Sequence, residues 1–460
     1  MPLRSGGAFS FVTKEIRSHF LLSPLLMYPN LYYAFKDLFG INLPALRFIN
    51  SFGFFVAIAF LVGAWLLGME LRRKAKAGLL HPTEEQVTVG ELAKPLDLFT
   101  NFLLGFLLGY KILALFFLSS NATQDPQTFI FSGMGNWPLG LALGALFAGL
   151  KWWEKKKQQL AKPEKRTIRI WPADRVGEIT ILALIFGLVG AKMFDIFENW
   201  SGFLTDPLSY ILSGGGLTFY GGLICATIAI VIFARKHKIP VRHLADAIAP
   251  SLMIAYAIGR IGCQTAGDGD WGIFNSAYAV TADGKMVVAQ PARFDQSLQQ
   301  HSGYFNAFLE DTHLASVPSK SVPKPASLSF LPDWLFAYNY PNNVNKVGIP
   351  IQGCTEQHCN QLPVPAFPTP LYETLMGFLL FGILWALRKR LKPFGAIFCL
   401  YLIVNGIERF LIETIRVNNR TSFLGIQATQ AEIIAVGLVL TGIAAWIFLQ
   451  KKFGAKESKM

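Results

Sequence analysis

Nine apolar segments, each near the length that crosses a bilayer, recur along this chain of 460 residues. They lie at about 51–71, 98–119, 136–153, 177–197, 216–234, 245–262, 371–387, 395–414 and 429–449. A bilayer core about 30 Å thick takes roughly 20 apolar residues per helical crossing. Composition agrees: 52% of residues are hydrophobic, 15% are charged, and the mean hydropathy is +0.39. Those values fall outside the range of soluble globular chains. The predicted fold is an all-α integral membrane protein with about nine transmembrane helices.

Charge placement sets the expected orientation. Arg72-Arg73-Lys74 with Lys76 follows the first segment, and Lys155-Lys156-Lys157 with Lys165-Arg166 follows the third. Arg235-Lys236 with Lys238, Arg388-Lys389-Arg390 and Lys451-Lys452 follow the fifth, seventh and ninth. Basic residues collect on the cytoplasmic side of membranes, so the N-terminus is expected outside and the C-terminus inside. The net charge of +13 is read the same way, with no nucleic-acid partner. No cleavable signal peptide is evident, so the first span is expected to act as its own insertion signal. Five cysteines cannot all pair, which excludes a disulfide scaffold.

The outer face then receives an N-terminal arm of about 50 residues and a long loop at about 273–369. Arg293-Phe294-Asp295 and Trp334-Leu335-Phe336 give that loop something to pack, so a small external cap is expected. Cys354 and Cys359 are a candidate local disulfide in an oxidising compartment; metal binding with His358 is the weaker alternative.

Three polar constellations fall at outer helix ends. In the first, Gly259-Arg260-Ile261-Gly262 closes the sixth segment and leads into Gly267-Asp268-Gly269-Asp270-Trp271-Gly272. An arginine near hydrocarbon is costly and tends to face a cavity with a partner. Its permanently charged fork suits a phosphate, while an arginine that snorkels to a headgroup is the plain alternative. The second is Ser213-Gly214-Gly215-Gly216-Leu217-Thr218-Phe219-Tyr220-Gly221-Gly222. Its glycines serve either an anion at a helix start or close helix packing, and composition alone favours packing. The third is Arg409-Phe410-Leu411-Ile412-Glu413-Thr414-Ile415-Arg416. Arg409 and Glu413 are four residues apart on one helical face, and Glu413 can also reach Arg416.

Together these segments resemble the bacterial prolipoprotein diacylglyceryl transferase family. The Gly-Arg-x-Gly core, the Phe219-Tyr220-Gly221-Gly222 stretch and the Arg-Phe-x-x-Glu-x-x-Arg run occur in the family's order. Pro368-Thr369-Pro370-Leu371-Tyr372-Glu373 and Asp246-Ala247-Ile248-Ala249-Pro250 are weaker matches. The resemblance covers about 50–75 and 177–449. It divides the chain into an external arm (1–50), a first core span (51–79) and an insertion with two extra spans and a basic loop (80–175). Core spans (176–272), the external loop (273–369) and the last three core spans (370–460) follow. The chain departs from the family pattern at Phe52, Lys192, Tyr220 and Cys263, where Tyr, Arg, His and Asn are usual.

The resemblance implies transfer of a diacylglyceryl group from phosphatidylglycerol to the lipobox cysteine of a prolipoprotein signal peptide, releasing glycerol 1-phosphate. It implies a multi-pass protein of the bacterial cytoplasmic membrane with its site toward the outer face. Phosphatidylglycerol, prolipoprotein signal peptides and membrane lipid are the implied partners, and no cofactor or metal is expected. Arg260, Arg409, Tyr220 and Glu413 are the candidate catalytic residues, with Arg260 as phosphate clamp and Glu413 positioning Arg409. Gly221, Gly222, Gly262, Asp268, Arg416 and Tyr372 join Arg260 as candidate substrate-binding residues. A transporter of an anionic solute and a catalytically silent lipid- or signal-peptide-binding relative are the alternatives.

Overall fold

The computed structural model describes residues 27–116, 134–212, 218–281, 286–418, 421–423 and 426–454. The Ser213–Gly216 stretch and the first 26 residues of the arm lie outside the described residues. Helices dominate. We label the long ones α1 (Ser51–Lys76), α2 (Pro95–Leu107), α3 (Trp137–Lys157), α4 (Val176–Glu198), α5 (Phe219–Lys236), α6 (Val241–Ala266), α7 (Thr369–Leu387), α8 (Ala396–Glu413) and α9 (Gln430–Leu449). Each coincides with one of the nine apolar segments. Among the described residues, five are long and apolar enough to cross a membrane: α1, α4 with the turn before it, α6, α7, and α9 with the turn after it.

The hydropathy pattern explains which helix sits innermost. α6 is the most buried of the five and the least apolar, at a mean hydropathy of 1.4. It packs on α1, α7 and α8, so its polar residues face protein. α4 packs on α5, α8 on α9, and α2 on α3. The apolar side chains of α4 and α9 remain largely exposed, as a lipid-facing surface requires. Close approach in the α2–α3 pair is set by small residues: a Cβ on Gly140 would meet Tyr110 and Phe106, and one on Gly144 would meet Phe102.

At the basic end, Asp246 opens α6 and does a neighbour's capping. Its carboxylate accepts from the backbone N–H of Gly395 (2.8 Å) and Phe398 (3.2 Å) at the start of α8. Lys74 of α1 lies 3.7 Å from the same carboxylate, and Glu70 pairs with Arg73 (2.5 Å) and Arg388 (3.3 Å). α1, α6, α7 and α8 are thereby tied at one end by charge, which leaves their other ends to form the site.

The segment expected as an insertion also contains strands that the apolar pattern does not show. β1 (Thr83–Val89) and β2 (Glu164–Ile170) form an antiparallel ladder running from Thr83↔Ile170 to Val89↔Glu164. It joins the ends of α1 and α3 and leads into α4.

The loop between α6 and α7 folds as a cap with a core of its own. Trp271, Phe274, Phe305, Tyr338, Tyr340 and Leu362 are buried together, and Phe294 and Trp334 pack against them. Met27 of the arm joins this core, and Tyr28 donates its backbone N–H to the Thr265 carbonyl at 2.9 Å. Cys354 and Cys359 form a disulfide.

Candidate functional site

Helix periodicity and one loop bring the charged residues together. Tyr256 and Arg260 lie four apart on α6, so they share a face. Gly267 ends that helix in the left-handed conformation (φ 62°), which turns the chain back across the helix ends. The loop then zips onto the end of α8: Gly272 bridges Arg416, and Ile273 N–H donates to the Ile415 carbonyl at 2.9 Å. A Cβ on Gly272 would collide with that same carbonyl. Thr369, at the start of α7, donates its hydroxyl to the Asp270 carbonyl at 2.7 Å. Three helix ends and the loop therefore meet at Asp270.

The centre of the cluster is Glu373 of α7, whose side chain is fully buried. Arg260 Nε lies 3.3 Å from Glu373 Oε2, and Arg409 and Arg416 lie 3.6 and 3.8 Å from Oε1. Asp270 bridges a second time, pairing with Arg260 and lying 2.9 Å from Arg416. Glu413 lies 3.0 Å from Arg409 and accepts from Asn418 at 2.5 Å. The Tyr256 hydroxyl lies 3.0 Å from Glu373 Oε1 and 3.1 Å from Glu408 Oε1, and its ring faces the Arg260 guanidinium at 5.3 Å. Three arginines, two from helices and Arg416 from the segment that follows α8, each retaining some exposure, thus converge on one carboxylate.

Outside the helices the local field is legible in two aspartates. Burial pushes the Asp268 carboxyl up, and the charge of Asp270 beside it adds to the effect. Burial acts the same way on Asp270, but Arg416 and Arg260 outweigh it and hold this carboxyl below the usual range. Asp268 accepts from the Asp270 N–H at 3.3 Å, and its carbonyl accepts from Asn345 at 2.7 Å. Cys263, Asp268 and Asp270 offer ligand atoms within 4.8 Å of one another. Asp270 is already spent on two arginines there, so this trio has little charge left for a cation.

Other sequence candidates sit elsewhere. A Cβ on Gly262 would meet Phe55 at 3.0 Å and the Phe52 backbone at 3.2 Å, so this glycine lets α6 approach α1. A Cβ on Gly221 would collide with Phe194, and one on Gly222 would lie 2.6 Å from the Gly187 carbonyl. Both glycines serve the α4–α5 crossing. Tyr220 is half-buried in the first turn of α5, whose main packing partner is α4. Tyr372 donates its hydroxyl to the Leu335 carbonyl at 2.6 Å and so ties α7 to the cap. Cys263 places its sulfur 3.8 Å from Arg260.

Four residues of the cluster carry no role in the sequence reading: Glu373, Glu408, Tyr256 and Asp270. The signal for the two glutamates was present: each is a carboxylate within an apolar segment, which is expensive without a partner, and Glu408 directly precedes Arg409.

The chain matches the prolipoprotein diacylglyceryl transferase family over residues 139–448, about two thirds of its length. The chain belongs to that family. The match begins within α3 and takes in every helix of the charged cluster. It is 26% identical over 278 residues to a phosphatidylglycerol–prolipoprotein diacylglyceryl transferase of Shouchella clausii, covering 60% of this chain and 76% of the relative. It is 27% identical over 289 residues to the enzyme of that name from Bacillus cereus, covering 63% and 81%. Membership in the prolipoprotein diacylglyceryl transferase family makes this protein a transferase.

Proposed function

We propose that the protein transfers the diacylglyceryl group of phosphatidylglycerol to the lipobox cysteine thiol of prolipoproteins, releasing glycerol 1-phosphate. The observation that carries this reading is the convergence of Arg260, Arg409 and Arg416 on Glu373 at one end of the helix bundle. In this reaction the nucleophile belongs to the substrate, and the leaving group is a phosphate that gains charge as the C–O bond breaks. The enzyme's tasks are to hold that phosphate, stabilise its growing charge, and align sulfur with the glyceryl carbon. Guanidinium groups suit the first two because they bind oxygen pairs and stay charged. Cations beside the thiol also favour the thiolate, whose formation from a group of pKa about 8.5 is modest work.

Arg260 and Arg409 are the phosphate-binding pair in this account, with Arg416 beside them. Glu413 holds Arg409 in place. Asp268 and Gly262 support the Arg260 turn, Tyr372 anchors the cap over the site, and Gly221 and Gly222 fix α5 so that Tyr220 can hydrogen-bond the phosphate. All nine long helices cross the bacterial cytoplasmic membrane, with the cap and the arginine cluster outside and the C-terminus inside. Phosphatidylglycerol enters from the bilayer, and the signal peptide approaches from the same membrane.

The test uses purified protein in phosphatidylglycerol liposomes with a synthetic lipobox peptide. The peptide should gain the mass of one diacylglyceryl group, and a Cys→Ser peptide should gain nothing. An unmodified Cys peptide, with both substrates in excess, contradicts the reading.

A further inference from the structure

Transfer to a thiol must dispose of a proton, and Tyr220, at the position where the resemblance expects a histidine, carries no imidazole to take it. A different group stands at the centre of the cluster. Glu373 is fully buried, with its Oε1 3.0 Å from the Tyr256 hydroxyl and its Oε2 without a hydrogen-bond partner. On the far side of Tyr256, Glu408 is 3% exposed and has Oε1 3.1 Å from the same hydroxyl. Among the described residues no Lys or Arg nitrogen comes within 4.0 Å of Glu408. A tyrosine hydroxyl carries one hydrogen, so it donates to one of these carboxyl groups and accepts from the other. Three arginines lie within 4.0 Å of Glu373, whereas Arg260 and Arg409 act on Glu408 only from farther away. The proton therefore belongs to Glu408, and the chain runs Glu408 O–H to Tyr256 O–H to Glu373 Oε1.

We propose that Glu373, held by Tyr256 and Glu408, takes up the thiol proton during transfer. This rests on the transferase reading above. As the arginines turn to the lipid phosphate they uncover Glu373, whose Oε1 stays fixed by Tyr256 while Oε2 is left to accept. The S–H bond breaks and its proton passes to Oε2. The sulfur electron pair forms the S–C bond to the glyceryl carbon, and the C–O electron pair leaves on the phosphate oxygen. Glu373 becomes neutral in the same step that gives the phosphate a second negative charge. The arginines then hold the leaving group without competition, and the proton departs with the phosphate monoester. Glu373 is a catalytic residue in this scheme, and Tyr256 and Glu408 are positioning residues.

The experiment compares a lipobox peptide with one carrying selenocysteine in place of cysteine, whose selenol is already ionised at neutral pH. With the cysteine peptide, Glu373→Gln should lower kcat by about 10²-fold or more, the scale of general base catalysis. Tyr256→Phe should lower it about tenfold, the scale of one hydrogen bond, with little change in KM for the lipid. Glu408→Leu should fall with Tyr256→Phe, and Glu408→Gln, which keeps a donor toward Tyr256, should recover part of that loss. The selenocysteine peptide should restore most of the activity of all these variants. A loss that selenol does not relieve, or a Tyr256→Phe enzyme with normal kcat on the cysteine peptide, overturns the proposal. If Glu373→Gln does not accumulate, Tyr256→Phe and the Glu408 pair decide it. Wild-type protein inactive on both peptides would instead contradict the transferase reading.

Discussion

Arg260 and Arg409, on helices whose sequences lie about 150 residues apart, reach opposite oxygens of the same Glu373 carboxylate, at 3.3 and 3.6 Å. That shared partner holds the two guanidinium groups at one carboxylate, and the transferase reading makes them the pair that grips the phosphate. In that reading Glu373 occupies, as an anion, the position that the phosphate would take. The arginines are held ready by a carboxylate that binding must displace or neutralise.

Arg260 should not tolerate lysine. An ammonium keeps the charge but loses the fork that spans two oxygens. Arg260→Lys and Arg260→Ala should both lose most transferase activity while accumulating normally in membranes, measured by peptide modification and immunoblot. Near-normal turnover by Arg260→Ala would remove it from the phosphate site.

Glu373 should also matter for stability. Replacing it with alanine leaves three arginines facing one another around a vacated buried site. Removing one partner of a buried ion pair costs about 3–5 kcal/mol. Glu373→Ala should therefore unfold at lower temperature than Arg409→Ala, whose side chain is 23% exposed. Thermal unfolding in detergent checks the order, and equal or reversed midpoints would show that Glu373 is not the hub.

Tyr220 is a narrower case. If it hydrogen-bonds the phosphate, Tyr220→Phe should cost about 1–3 kcal/mol in kcat/KM, the size of one polar contact to a charged group. A larger loss that high pH relieves would make it the base and displace Glu373 from that role. An unchanged rate would leave Tyr220 with packing alone.

The cap should respond to acid through His358, which lies inside the Cys354–Cys359 loop with its ring 6.1 Å from that of Tyr33. Burial first, then the charge of Lys346, pushes this imidazole below its ordinary value of 6.5. The unfolded chain then binds the extra proton more readily, so the stability His358 contributes is present above 6.5 and lost as pH falls below it. Thermal unfolding followed from about pH 7.5 to 5.5 should show that loss, and His358→Gln should flatten it. Identical slopes in the two proteins would contradict the assignment.

The long helices were legible because burial in lipid demands long apolar runs: each of the nine runs overlaps one long helix, and five of these are long and apolar enough to cross a membrane. The cap was legible only as a loop with something to pack. Its core depends on Tyr338, Tyr340 and Leu362 meeting Phe274 and Trp271 across distant sequence, which no local period announces. β1 and β2 escaped notice because each is seven mostly polar residues that pair across about 80 positions. At the site, Arg260, Arg409, Glu413 and Arg416 were readable because helical spacing and the cost of charge near hydrocarbon point to partners. The cost of a carboxylate in an apolar segment flags Glu373 as needing a partner, but that three arginines meet on it, and that Tyr256 joins them, depends on which helices touch. Gly221, Gly222 and Gly262 show the converse: their motif is visible in sequence, but what approaches them is a neighbouring helix.

The central claim is best tested with phosphatidylglycerol labelled at two places, in the diacylglyceryl moiety and in the headgroup glycerol, in sealed liposomes with the purified protein and a lipobox peptide. The account requires the diacylglyceryl label to appear on the peptide cysteine while an equal amount of headgroup label is released as glycerol 1-phosphate, with both signals lost in Arg260→Ala. Headgroup label retained on the modified peptide, or an anionic solute crossing the bilayer with no peptide modified, would contradict it.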